Sequence, residues 1–219
     1  MRLEPGQRPH DDLKAMLVYI HGLNSSSRSF KANRLRTSLD PHPVVAIDYP
    51  AHRPADAVAA LSDFFTTLLG RHEGIAPAVV GSSMGGFYGQ YLARRFRFSH
   101  LFMINPALTP WSLFREHIGE VMTTADGERY RVSEALIEST RPYGIAEPCD
   151  GTPSTLFLDR GDEVIDARIA EHLYAGCGRL MVWEGGDHAF QHLDEAIETI
   201  REHLNRARRG LDAIDRTSP

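Results

Sequence analysis

The chain has 219 residues, of which 42% are hydrophobic and 24% charged, with a formal net charge of -5 and two cysteines. That balance suits one soluble globular domain able to bury a substantial core, and the acidic excess leaves no footprint for nucleic acid. The opening MRLEPGQRPHDDLK lacks the apolar stretch of a secretory signal, and no run approaches the roughly 18 apolar residues of a membrane span. A cytoplasmic location without stable membrane insertion is therefore expected. Cys149 and Cys177 are expected as free thiols, because a chain of this size needs no staple.

Strand-like and helix-like runs alternate from Lys14 onward. Leu17 to Ile20 (LVYI) reads as a short buried strand leading into the loop HGLNSSS. From Arg28 to Leu39, residues Ala32, Leu35 and Leu39 recur at helical spacing. Asp40-Pro41-His42-Pro43 stops that helix, since residues before proline avoid the α region. Val44 to Asp48 is the second strand, and Ala57, Val58, Leu61, Phe64, Phe65 and Leu68 form one apolar stripe of the next helix. A third strand, Ala78 to Val80, runs into Gly81-Ser82-Ser83-Met84-Gly85 and then the helical FYGQYLARRF. Leu101 to Asn105, Ser154 to Asp159 and Arg179 to Trp183 supply strands four to six. Ile165, Ile169 and Leu173 line a helix between the last two strands. Leu193, Ile197, Ile200 and Leu204 line the final long helix, and residues from about 210 to 219 read as a frayed tail.

Six strands apolar on both sides and separated by helices predict an α/β fold, a mostly parallel sheet with helices on both faces. Right-handed crossovers put the strand carboxyl ends, and any ligand, along one edge. Between strands four and five, residues 106–153 exceed what one crossover needs. A helix start at Thr109-Pro110 puts Trp111, Phe114 and Ile118 on one face, and a second short helix is expected over Val132 to Ser139. This helical insertion is where a lid over a site belongs. Its apolar residues Trp111, Leu113, Phe114, Val121 and Met122 suit either an acyl-binding surface or the core that holds the insertion down; Trp111 and Phe114, with Asn24 of the loop after the first strand, are the expected substrate-pocket residues.

The segment Gly81 to Gly85 fits G-x-S-x-G, with a strand before it and a helix after it, which is the context of a nucleophile elbow. Ser83 would sit in a strained turn whose neighbours must lack bulk. A serine hydroxyl needs a base, and the base an orienting acid. Acids near the fifth strand are Asp159, Asp162, Glu163 and Asp166. Asp159 falls in or at the end of the strand, and Glu163 and Asp166 start the next helix, so the loop residue Asp162 is preferred. In the loop after strand six, EGGDHAF places His188 behind two glycines as the base. His188 and His192 stand four residues apart, but Ala189 occupies the place of the glutamate in H-E-x-x-H, so neither a metal nor any other cofactor is expected. Two backbone N–H groups should form an oxyanion hole: that of Met84, and one from His21-Gly22-Leu23-Asn24, either Leu23 or Asn24. His21 itself reads as a structural ring that fixes this loop.

These motifs fall in five blocks: YIHGLNSSSRSFKA (Tyr19 to Ala32), VVGSSMGGFYGQYLA (Val79 to Ala93), INPALTP (Ile104 to Pro110), GDEVIDAR (Gly161 to Arg168) and EGGDHAF (Glu184 to Phe190). In that order they resemble the small bacterial YqiA-like esterases of the α/β-hydrolase superfamily. The resemblance implies an α/β-hydrolase core with Ser83 as nucleophile, Asp162 as acid and His188 as base. It also implies a small-molecule substrate, a short to medium acyl ester or an acyl thioester. The charged extension before Leu13, the tail after Arg209 and the stretch 119–153 depart from the pattern. The same three residues also serve lipid hydrolysis, carbon–carbon cleavage or acyl transfer, and a fold alone does not choose among them. A scaffold that binds without turnover would be expected to lack one of the three.

Overall fold

Runs of β-branched, aromatic and aliphatic residues with no charge inside them form the strands of the central sheet. The computed structural model describes residues 15–71, 74, 76–148 and 151–215, with side chains as far as residue 209. The charged extension before Leu13, Cys149 and residues 216–219 lie outside the described residues. The sheet contains β1 (Leu17–Ile20), β2 (Val44–Ile47), β3 (Ala78–Ser82), β4 (His100–Ile104), β7 (Ser154–Asp159) and β8 (Arg179–Trp183), all within two residues of their expected ends. Every pairing in it is parallel, in the order β2-β1-β3-β4-β7-β8.

Strand side chains alternate between two cores, as a pleated sheet covered on both faces requires. Val18, Ile20, Val79, Leu101, Met103, Leu156 and Leu158 face α2 (Pro54–Arg71), α3 (Met84–Leu92) and α6 (Ala167–Tyr174). Leu17, Tyr19, Val80, Phe102, Ile104 and Phe157 face α1 (Phe30–Ser38) and α7 (Leu193–Asp215). Each fully buried Leu, Ile or Phe contributes on the order of 2 kcal/mol of transfer free energy. Ser29 caps α1 by accepting from the Ala32 N–H at 3.3 Å, and Asp166 caps α6 from the Arg168 N–H at 3.0 Å. α7 continues to Asp215, which corrects the tail expected from about residue 210. Gly210 alone costs a helix only ~1 kcal/mol relative to Ala, too little to end it.

The chain crosses from β1 to β2 at one side and returns to β3 at the other, so the strand order reverses between β1 and β3. A crevice at the carboxyl ends is expected at such a reversal. The insertion after β4 rises above that edge with α4 (Pro110–Leu113), a 3-10 turn (Phe114–His117), an antiparallel pair β5 (Val121–Thr123) and β6 (Arg129–Arg131), and α5 (Glu134–Thr140). The hairpin is a departure from the all-helical expectation. Its signal was Asp126-Gly127, with Gly127 at φ 87 and its N–H on the Thr124 carbonyl at 3.0 Å, a hairpin dipeptide flanked by strand formers. The helical stretch also ends at His117, so Ile118 leaves the apolar face and is exposed.

Cys177 is disulfide-bonded, which corrects the expectation of free thiols. Spacing along the chain cannot show whether two sulfurs meet once α6 and its flanking strands have packed. Among the described residues no helix is long and apolar enough to cross a membrane.

His100, at the start of β4, donates or accepts at Thr155 Oγ1 (2.9 Å) and packs against Phe102 and His203. Burial, then the neighbouring His203, Arg206 and Arg179 charges, pushes its pKa from 6.5 down to about 4. The unfolded chain therefore binds a proton that the folded chain refuses, and stability is lost as the pH falls through that window. Between about pH 7 and about pH 4.5, wild-type protein should lose ~2 kcal/mol more than His100→Gln in urea unfolding. Equal losses in the two proteins would contradict this assignment.

Candidate active site

The turn from β3 into α3 forces Ser83 into the left-handed region, at φ 54 and ψ -119. That strain is held by backbone bonds: the Ser83 N–H donates to the Ile104 carbonyl at 3.0 Å, and its carbonyl accepts from Gly86 (2.9 Å) and Ala107 (3.1 Å). Space is as restrictive as conformation. A Cβ on Gly85 would stand 2.0 Å from the Ile20 carbonyl oxygen, and one on Gly81 would stand 2.3 Å from the Gly85 carbonyl oxygen. A Cβ on Gly22 would meet Ser83 Cβ at 3.1 Å and Ser83 Oγ at 3.7 Å. The loop after β1 therefore lies directly against the serine.

In that loop His21 is buried, its Nδ1 2.8 Å from the Gly22 carbonyl and its ring 4.5 Å from Tyr49. Burial lowers its pKa, which keeps the ring neutral and the Nδ1–H as the donor. Among the described residues neither the Leu23 nor the Met84 N–H has a hydrogen-bond acceptor. Asn24, at φ 56, accepts from the Tyr130 hydroxyl at 2.9 Å, so its side chain is tied to the hairpin.

The acid and base loops meet on the other side of β3. Asp162 is buried to 1% side-chain exposure, and its Oδ1 accepts the Val164 and Ile165 N–H groups at 2.8 Å each. Its Oδ2 lies 2.9 Å from His188 Nδ1. That contact assigns the proton to Nδ1 and leaves Nε2 as an acceptor. The His188 N–H donates to Glu163 Oε2 at 3.1 Å. Among the described residues Ser83 Oγ makes no hydrogen bond, to His188 or to any other group. Such contacts commonly tighten only when substrate is bound. Lys31, which sequence reasoning missed, is drawn below its usual pKa by burial, against the opposing pull of Asp187 and Asp162. Nothing in the helical spacing of α1 marks that lysine as facing the acid and base loops.

Of the expected pocket residues, Phe114 is buried in the core under the insertion. Trp111 packs edge-on to Phe87 (centroids 6.4 Å apart) beneath the Arg141 guanidinium. The space between Leu23, Met84, Phe114, Tyr130, Val132 and Leu136 is only about 10 Å³, about the least that holds one water. Larger openings are a polar one of about 280 Å³ beside His21, Asp48, His52 and Glu128, an apolar one of about 230 Å³ between Leu108, Leu113, Val164, Ile165 and Ile169, and one of about 750 Å³ beside Asp162, Glu163 and Arg168.

Residues 16–205 match the model of the uncharacterised protein family UPF0227. The chain belongs to that family. It is the family to which the YqiA-like resemblance pointed. Solved structures extend the likeness to the whole fold. Est1E from Butyrivibrio proteoclasticus with ferulic acid bound is 16% identical, covers 93% of this chain and 92% of its own, and has a TM-score of 0.69. A Paleococcus ferrophilus monoacylglycerol lipase is 17% identical over 88% of this chain and 94% of its own, with a TM-score of 0.65. Alpha/beta hydrolase domain-containing protein 10 from mouse is 18% identical over 93% and 92%, with a TM-score of 0.64. The fold is that of the α/β-hydrolases.

Two glycine substitutions separate crowding from helix propensity. Gly85→Ala should destabilise the protein by ~3 kcal/mol or more, because neither backbone at the contact can yield. Gly70→Ala, in open space on α2, should stabilise it by ~0.5–1 kcal/mol. Urea unfolding measures both, and a Gly85→Ala protein of wild-type stability would refute the close approach.

Proposed function

We propose that this protein is a serine hydrolase of carboxylic esters, acting through an acyl-enzyme on Ser83. The observation that carries the reading is the paired Asp162 and His188, 2.9 Å apart, on loops at the same carboxyl edge of the sheet as a serine held at φ 54. His188 Nε2 takes the Ser83 proton as Oγ attacks the acyl carbonyl. Asp162 holds the ring tautomer and stabilises the imidazolium. The uncommitted Leu23 and Met84 N–H groups stabilise the tetrahedral oxyanion. His188 then returns the proton to the leaving alkoxide, and water repeats the cycle on the acyl-enzyme.

The apolar opening beside Leu108 and Ile165 is the place for the acyl chain. Its wall includes Ala107, whose N–H holds the Ser83 carbonyl, and its size suits short to medium chains. Thioesters of the same acyl groups enter by the same chemistry, because only the leaving group changes. The esterase and lipase names among the fold neighbours favour this reading.

Ser83→Ala should reduce kcat for a butanoyl ester by about a million-fold, and Asp162→Asn by about 10⁴-fold. A fluorophosphonate should label the wild type rapidly and leave Ser83→Ala unlabelled. Undiminished turnover in Ser83→Ala would end the proposal.

A further inference from the structure

Two carboxylate–imidazole pairs, rather than one, join the loop after β7 to the loop after β8. The inner pair is Asp162 with His188; the outer is Asp159 Oδ1 with His192 Nδ1, at 2.6 Å. Both pairs are buried to the same degree. Asp159, the last residue of β7, has a side chain with no solvent exposure. Its Oδ2 accepts the Gln191 N–H at 2.8 Å. Gly186, at φ 74, lies so close that a Cβ there would stand 2.1 Å from the same oxygen. One buried carboxylate is thus enclosed by residues 186, 191 and 192, which bracket His188.

A second side chain completes the clamp. Asn105 follows β4 at φ 39 and is buried. Its Oδ1 accepts the Asp159 N–H, and its Nδ2 donates to the Asp187 carbonyl, both at 3.0 Å. The Gly161 N–H meets the Gly185 carbonyl at 2.7 Å. The His192 ring stacks on Trp183 with centroids 5.0 Å apart and planes 9° from parallel.

A carboxylate removed from water costs several kcal/mol unless its oxygens are satisfied. Loop conformations that leave Asp159 unpaired are therefore strongly disfavoured. His188 follows two glycines at φ 74, a permissive approach that the contacts of Asp159 and His192 restrain together with the Asp162 pair. Building on the triad reading above, we propose that Asp159 and His192, linked to β4 through Asn105, are positioning residues that set His188 over Ser83. They touch no reacting atom and act only through the loop.

The test compares wild type with Asp159→Asn and His192→Phe, the latter preserving the stack on Trp183 should the former fail to fold. Butanoyl-ester turnover is normalised to the serines titrated by a fluorophosphonate, and the downfield proton resonance of His188 Nδ1 is followed by NMR. Displacement of the base should lower kcat ~10- to 100-fold with KM within about twofold, and should shift or broaden that resonance in variants with native near-ultraviolet dichroism. A folded variant with wild-type kcat and an unmoved resonance overturns the brace. A loss that vanishes on normalisation to titrated serines also overturns it, because that is simple unfolding. Wild-type protein that neither hydrolyses the ester nor takes the label defeats the function proposed above, and the resonance alone then judges the brace.

Discussion

The elbow at Ser83 exists because only a hydrogen atom lies between Gly85 and the Ile20 carbonyl. This contact ties the start of α3 to the end of β1, so the strained serine and the loop carrying Gly22 and Leu23 cannot drift apart. Ser83 at φ 54 costs on the order of 1–3 kcal/mol. That strain is borne by β3, whose five residues are all buried between the two cores. The rest of the fold can be read as support for that one distortion: parallel neighbours on both sides, and backbone bonds from Ile104 and Ala107 on the serine itself.

Around the elbow the sheet divides its tasks by strand order. The β1 side presents backbone N–H groups, braced by the neutral His21 ring and by Asn24 bonded to the hairpin. The β7 and β8 side presents titratable side chains, held by backbone N–H groups on Asp162 and by the buried carboxylate of Asp159. The insertion packs onto α3 and the core beneath it through Trp111 and Phe114. The proposed acyl transfer would use the two sides separately, the N–H groups for the oxyanion and the side chains for proton transfer.

Much of this was legible in the sequence because it is local. LVYI, STLFLD and RLMVW are short apolar runs that stop at loops, and G-x-S-x-G states its own backbone requirement. The meeting of Asp162 with His188 was also readable, since a loop carboxylate can turn where a strand-end carboxylate is fixed. What could not be read was pairing across the fold. Nothing in the spacing of Asp159 and His192, 33 residues apart, predicts that they meet, and the same holds for the bonding of Cys177. The β5–β6 hairpin is hard to read for another reason: the hydrophobicity of Val121 and Met122 suits several structures, and the structural information lies in the Asp126-Gly127 turn beside them. The all-round burial of α3 likewise follows from Gly86 lying against Pro106, a contact between distant segments.

The most direct measurement of the central claim is a crystal structure of the protein after reaction with a short alkyl phosphonate ester, a stable mimic of the tetrahedral intermediate. The account predicts phosphorus bonded to Ser83 Oγ, its oxyanion accepting from the Leu23 and Met84 N–H groups, and His188 Nε2 within hydrogen-bond reach of the serine oxygen. Phosphorus on another residue, or a Ser83 adduct whose oxyanion points away from both N–H groups with His188 remote, would contradict it.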